Sequence, residues 1–314
     1  MYDIRFTHLG ITFHNLKYGF TIFGLEIKFY GLIIGIGFLL AYFLVLSEAK
    51  RTKQDTEIYL DFFLWLVIPA ILGARLYYII FNSGEYFEKG KGFGQTLKDL
   101  INIRNGGLAI YGGIIAGVIT AIIFCRKKKV KTWLLFDTIS LGLLLGQILG
   151  RWGNFFNREA FGEYTDSLFA MHIPTDYFVN NGSFYSLRES GVISETMANH
   201  LVTYGQGENI MHWISVHPTF LYESLWNMAL LIFLLIYRKH KKFDGEMWWL
   251  YIWGYGLGRV WIEGLRTDSL MVFGLNLRVS QLIAAACVIL ASFIIVKKRM
   301  DYMKESADKI SKSS

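Results

Sequence analysis

The sequence predicts an all-α polytopic membrane protein with seven transmembrane helices, and three observations carry that reading. Of 314 residues, 53% are hydrophobic, 18% are charged and only 3 are proline, a profile too apolar for an ordinary soluble domain. Seven stretches each supply the roughly 20 mostly apolar residues that a bilayer-crossing helix needs. The lysines and arginines collect in alternate connections between those stretches.

Taken in order, the expected spans are 24–46, 58–81, 107–125, 133–152, 218–237, 246–265 and 279–296. The basic connections carry Lys50, Arg51 and Lys53, then Arg126, Lys127, Lys128, Lys129 and Lys131, then Arg238, Lys239, Lys241 and Lys242. Lys297, Lys298, Arg299 and Lys304 follow the last span. The positive-inside rule places these segments in the cytoplasm, so the N-terminus lies outside and the C-terminus inside. An odd number of spans satisfies that parity.

The domain organisation follows. Residues 1–23 form an extracytoplasmic N-terminal arm along the outer surface, and 24–162 hold the first four helices. Residues 163–217 are an acidic extracytoplasmic insert, with Arg188 against Glu163, Asp166, Asp176, Glu189, Glu195 and Glu208. Its aromatics, Phe178, Phe184, Tyr185 and Tyr204, and its turn formers Asn180-Asn181-Gly182 suit a small folded cap. A plain loop of that length would be unusual. Residues 218–296 hold the last three helices and 297–314 a cytoplasmic tail. The outer loop 82–106, rich in glycine and polar residues, is expected to be mobile.

Composition also excludes. The net charge of +7 tracks membrane topology, not a basic face for nucleic acid. Cys125 and Cys287 sit in or beside apolar runs and read as small buried thiols. The start of the chain lacks a basic segment followed by an apolar core, so the first span is expected to be retained. No histidine pair has metal-ligand spacing, and GxSxG, Walker and CxxC patterns are missing.

Several spans carry polar groups at their outer ends, where hydrocarbon makes them expensive. Arg75 lies inside the second, and Gly112-Gly113 follow Tyr111 in the third. The fourth closes on Gln147, Arg151, Asn154, Asn157, Arg158 and Glu159, and the fifth opens with His217, Tyr222 and Glu223. Near the end of the sixth, Arg259, Glu263 and Arg266 are spaced i, i+4 and i+7, which places them on one helix face. Arginines outnumber carboxylates in this set. Spare guanidinium charge in a water-poor place suits phosphate, which it binds bidentately without losing its proton. The residues therefore point to a lipid phosphate near the outer leaflet, while a local Arg259–Glu263 ion pair is the alternative for that pair.

GRWGNFFNREAFG at 150–162 resembles the signature of the prolipoprotein diacylglyceryl transferases, Gly-Arg-x-Gly-Asn-Phe-x-Asn-x-Glu-x-x-Gly, at every fixed position. Further blocks agree in order: FYGL at 29–32, GARLYY at 73–78, GGLAIYGG at 106–113, HPTFLYES at 217–224, GRVWIE at 258–263 and RVSQ at 278–281. The resemblance implies a bacterial inner-membrane enzyme with its active site toward the outer leaflet. Such an enzyme moves the sn-1,2-diacylglyceryl group of phosphatidylglycerol to the lipobox cysteine of a prolipoprotein signal peptide, releasing glycerol 1-phosphate. Neither metal nor organic cofactor belongs to it, and its partners are the lipid, the signal peptide and the bilayer.

By the same resemblance, Arg151 and Arg259 hold the phospholipid head group, and Asn154, Glu159 and Gly162 fall on the other essential signature positions. Tyr30 matches an essential tyrosine and Glu263 a carboxylate. Arg75 and His217 lie in matching blocks and are expected near the substrate. Tyr111 stands where well-studied members have a histidine. A tyrosine hydroxyl is a poor base at neutral pH, so Tyr111 is expected to position substrate. Two rivals lose ground. An anion transporter would show paired helix breaks and internal symmetry, and a CDP-alcohol phosphotransferase would need an aspartate-rich metal motif.

Overall fold

The computed structural model describes residues 3–86, 92–102, 106–180, 184–205, 210–271 and 277–313. Asn181, Gly182 and Glu208 of the insert lie outside the described residues, as does the Phe184 side chain. In chain order the structure begins with β1 (Ile4–Phe6), β2 (Ile11–Phe13), β3 (Gly19–Ile22) and β4 (Leu25–Lys28). Helices α1 (Phe29–Arg51), α2 (Thr56–Phe81), α3 (Ser83–Tyr86), α4 (Phe93–Ile101), α5 (Ile110–Lys128) and α6 (Thr132–Asn157) follow. The insert contributes β5 (Met171–Pro174), α7 (Thr175–Asn180), α8 (Phe184–Glu189), α9 (Glu195–Asn199), β6 (Val202–Tyr204) and β7 (Met211–Val216). The chain ends with α10 (Thr219–Tyr237), α11 (Glu246–Leu265) and α12 (Val279–Ser313).

Among the described residues six helices, α1, α2, α5, α6, α10 and α12, are long and apolar enough to cross a membrane, so this is a multi-pass membrane protein. The remaining expected span, α11, forms over the anticipated residues. Its glycines, aromatic residues and charges leave it too polar to qualify by composition alone. Several boundaries move. The first span starts at Phe29, because residues 25–28 are a strand, and the last helix runs without a break through the expected tail.

The chain is not all-α. The arm and the insert join in one antiparallel sheet of order β2-β1-β5-β7-β6, and β3 pairs with β4 in a separate hairpin. The segments alternate with a period of two, which a search for 20-residue apolar runs passes over. In register, Arg5 faces His172 and His172 faces Ser215. The residues between them, Ile4, Phe6, Met171, Ile173, Ile214 and Val216, therefore share the opposite face and pack into one core with Phe155 and Phe161.

Two compact units divide the chain, Met1–Leu44 with Ile139–Ser314, and Val45–Thr138. In the first, α6, α10 and α11 pack around Leu144, Ile148, Leu231, Leu234 and Leu250, and α12 packs on α11. In the second, α2 lies against α5 where Gly73 meets Gly112; a Cβ on Gly73 would collide with the Ala116 methyl and the Gly112 carbonyl. Small residues are what such a close helix crossing requires. Lys128 at the end of α5 pairs with Asp61 of α2 at 2.5 Å.

Arg75 corrects an expectation. Its guanidinium donates to the carbonyls of Asp99, Leu100, Asn102, Gly106 and Gly107, which uses all five N–H groups. It organises the connection between α4 and α5 and has no donor left for a head group. The loop expected to be mobile thus contains two short helices, and the buried Arg75 of α2 gathers its backbone; 87–91 and 103–105 lie outside the described residues.

Two outcomes follow. Arg75→Ala strips five carbonyls of a buried cationic donor and costs on the order of 3 kcal/mol in unfolding free energy, measured by thermal unfolding in detergent. In the sheet, His172 accepts or donates through Nδ1 to Tyr204 at 2.7 Å and Thr7 at 3.1 Å. Burial pushes its pKa below the ordinary value, with His8 and Arg5 acting the same way and Asp166 opposing them. A depressed histidine pKa means that the unfolded chain takes up the proton first. Stability is therefore whole above about pH 6.5 and falls as pH drops below it. Thermal unfolding from pH 7.5 to 5 reads this, and His172→Gln flattens the profile.

Candidate active site

Helix α6 runs five residues beyond the expected span, so Arg151 and Asn154 lie one turn apart on the same helix. The helix stops because Arg158 and Ala160 take left-handed backbone conformations, φ +51° and +56°. Glu159, between them, turns back toward the helix. Its Oε1 accepts from Asn154 Nδ2 at 2.8 Å and Asn157 Nδ2 at 3.3 Å, and Asn154 Oδ1 accepts from Arg151 Nη1 at 3.3 Å. Arg151, Asn154 and Glu159 thus form one chain of contacts.

Glu223 joins that chain to α11. Its Oε1 lies 2.8 Å from Arg151 Nη2, and its Oε2 accepts from Arg259 Nη1 at 2.9 Å. Arg259 Nη2 pairs in turn with Glu263, and the Tyr255 hydroxyl lies 3.5 Å from Glu223 Oε1. The Glu223 and Glu263 side chains are each only 3% exposed, whereas the Arg151 and Arg259 side chains keep 20% and 13%. Neither arginine is an isolated cation, which corrects the expectation of spare charge. Both anions are buried and both cations retain an accessible edge. In the sequence Glu223 is one of several polar residues that open the fifth span, and no motif gives it a role. The only signal was a glutamate one turn into an apolar helix, four residues past a threonine.

Three polar contacts fix the helices that carry these groups. Gln147 Nε2 donates to the Tyr251 hydroxyl at 2.9 Å, Trp152 Nε1 to Ser224 Oγ at 3.2 Å, and Trp226 Nε1 to the Gly254 carbonyl at 2.8 Å. Tyr30, in the second residue of α1, lays its ring against Gly153, where a Cβ would come within 2.7 Å of Cδ2. It is held beside the same turn of α6.

Gly162 and His217 form the corner that closes the site. Gly162 N–H donates to the His217 carbonyl at 2.9 Å, His217 N–H to the Glu163 carbonyl at 3.0 Å, and Glu163 N–H to the Leu265 carbonyl at 2.8 Å. The Thr219 hydroxyl bonds the Ala160 carbonyl. The His217 ring contacts the Tyr222 hydroxyl at 3.3 Å, and burial pulls its pKa below the ordinary value, with Glu163 opposing. Arg266 departs from the expected helix face. Helix α11 ends at Leu265, and Arg266 turns away in extended backbone to grip Asp268 at 2.9 and 2.7 Å. Tyr111 belongs to the second unit, where its ring is half-buried at 6.4 Å from that of Tyr77.

Glu223→Gln removes the charge shared by two arginines, leaving Arg151 without its carboxylate and Arg259 with Glu263 alone. The expected cost is on the order of 3 kcal/mol in stability, read by thermal unfolding against the wild-type protein. At Gly162, an added Cβ would lie 2.8 Å from His217 Cβ and from the Leu265 carbonyl oxygen, and 3.1 Å from Thr219 Cγ2. The corner must shift, so Gly162→Ala should lower turnover about 100-fold in protein that still inserts. Turnover near wild type would show that the corner tolerates displacement.

Comparison with known proteins finds a matching family. A family described as prolipoprotein diacylglyceryl transferase matches residues 17–297. A phosphatidylglycerol–prolipoprotein diacylglyceryl transferase of Listeria welshimeri is 38% identical over 295 residues, covering 92% of this chain and 93% of its own. Proteins of the same name from Clostridium novyi and Bacillus cereus are 38% and 39% identical, covering 90% and 87% of this chain and 95% and 89% of their own. The matched range takes in α6, α10 and α11 and with them every residue of the charged cluster. The chain belongs to the prolipoprotein diacylglyceryl transferase family.

Proposed function

We propose that this protein transfers the diacylglyceryl group of phosphatidylglycerol to the thiol of a prolipoprotein, the first step of lipoprotein maturation. The observation that carries the reading is the Arg151–Glu223–Arg259 cluster, two guanidinium groups held side by side on separate helices by one buried carboxylate. The acceptor is the lipobox cysteine of the signal peptide. The site opens toward the outer leaflet of the bacterial inner membrane, with α11 as a seventh span, the N-terminus outside, the C-terminus in the cytoplasm, and the arm and insert together forming the cap.

The chemistry makes two demands. The thiolate sulfur attacks the glycerol carbon that bears the phosphate; the C–S bond forms as the C–O bond breaks, and glycerol 1-phosphate leaves with the bonding pair. The developing charge on that phosphate needs preorganised donors, and the two arginines are placed to supply them without rearranging. The thiol, with an ordinary pKa of about 8.5, must also lose its proton. Glu263 is buried against Arg259 and suits orientation of that arginine. Glu159 is exposed, bound to two amides and part of the Arg151 chain, which supports it as the proton's acceptor. Tyr30 and Asn154 position the head group around Arg151, and Gly162 and His217 hold the corner. Tyr111 serves substrate positioning.

Arg151→Ala removes one phosphate donor and lowers transfer by on the order of 100- to 1000-fold, measured as labelled diacylglyceryl arriving on a lipobox peptide with phosphatidylglycerol as the only lipid. Wild-type transfer by that variant would overturn the reading. Tyr111→Phe keeps the ring and loses the hydroxyl; a positioning role through that hydroxyl predicts a raised KM for lipid or peptide, and unchanged kinetics would eliminate it.

A further inference from the structure

The hairpin of β3 and β4 has two unlike faces. Register pairs Phe20 with Ile27 and Ile22 with Leu25, so these four side chains share one face, while Gly19, Thr21, Glu26 and Lys28 share the other. The apolar face has little protein over it. Phe20, Ile22 and Leu25 are 37%, 45% and 67% exposed. At the tip, Phe23 and Gly24 both have positive φ, +50° and +78°. A two-residue turn of that kind normally takes Asn-Gly, because a bulky side chain is strained at positive φ. Here it carries a phenylalanine that is 101% exposed. Among the described residues nothing covers the Phe23 ring, and an isolated two-stranded hairpin is marginal in water.

The base of the hairpin is firmly set. Phe29 N–H donates to the Tyr18 carbonyl at 2.8 Å, and the Phe20 ring lies 5.5 Å from that of Phe29, itself 5.1 Å from Phe156. Strand β4 passes into α1 with no intervening residue, so the apolar face meets a membrane span at the point where that span begins. We propose that the apolar face and Phe23 tip of this hairpin dock into the lipid–water interface at the N-terminal end of α1, as an anchor that sets the depth of Tyr30 and the arm. Amphipathic elements with aromatic tips bind there, buried by several ångströms. A second copy of the chain fits less well, since five side chains fall far short of the roughly 20 residues a side that a stable protein interface uses. The proposal rests on the protein's being a membrane protein and is independent of the transfer reaction.

The test uses the full-length protein, with Cys125 and Cys287 replaced by serine, at one copy per nanodisc of phosphatidylethanolamine and phosphatidylglycerol. Single cysteines at positions 21, 22, 23, 25 and 26 carry a nitroxide, and collision with oxygen is compared with collision with a water-soluble nickel chelate. Labels at Ile22, Phe23 and Leu25 should favour oxygen several-fold, while those at Thr21 and Glu26 favour nickel. With one copy per disc, that alternation has lipid as its only source. Equal nickel access at all five positions, or protection without alternation, would overturn the proposal. Neither result bears on the Arg151–Arg259 site.

Discussion

The Glu223 carboxylate is the constraint on which the charged site depends. Burying one carboxylate in an apolar helix packing is costly unless cations and hydrogen-bond donors surround it. Here the compensation comes from two helices at once, Arg151 from α6 and Arg259 from α11, so α6, α10 and α11 must meet at one level. Glu263 adds a second buried anion on the far side of Arg259. Below the cluster, the leucine-rich packing of the three helices supplies stability without direction. The ion pairs and the bonds Gln147–Tyr251 and Trp152–Ser224 fix rotation and height.

The arm and insert are tied to the same place by backbone rather than charge. Gly162, His217, Glu163 and Leu265 form a short run of backbone hydrogen bonds between the end of α6, the start of α10 and the end of α11. Arg158 adds a second tie. Its guanidinium lies over the Tyr177 ring at 4.2 Å and donates to the Leu16 carbonyl at 2.6 Å, which binds the arm to the turn after α6. The block of residues from 150 to 162 therefore does two jobs within one turn and a loop. Arg151, Asn154 and Glu159 face the charged cluster, while Gly153, Arg158 and Gly162 allow or hold close approach of α1, the arm and α11.

The long helices were legible because a lipid-facing helix must be apolar over about 20 residues, and only boundaries shifted. The sheet was not legible as part of an all-helical plan, since its strands are three to six residues long and lie more than 150 residues apart in sequence between β1 and β5. The charged residues were visible as a set, and Arg151, Asn154 and Glu159 do form one chain of contacts. Their bonding was not visible. Arg75 and Arg259 look alike in sequence, each an arginine after a glycine-containing step in an apolar helix. Folding turns one to five carbonyls and the other to two carboxylates.

By itself the sequence determined that this chain enters membranes repeatedly and that Arg151, Asn154 and Glu159 occur at the spacing of one helical turn and its cap. Those properties follow from local chemistry, the transfer of apolar side chains into lipid and the 3.6-residue period. The tertiary structure decided which arginine meets which carboxylate, and it made Glu223 the bridge. It also ended α11 early enough to send Arg266 to Asp268. Pairings of that kind depend on distances between side chains far apart in the chain. No local pattern encodes those distances until the helices have packed.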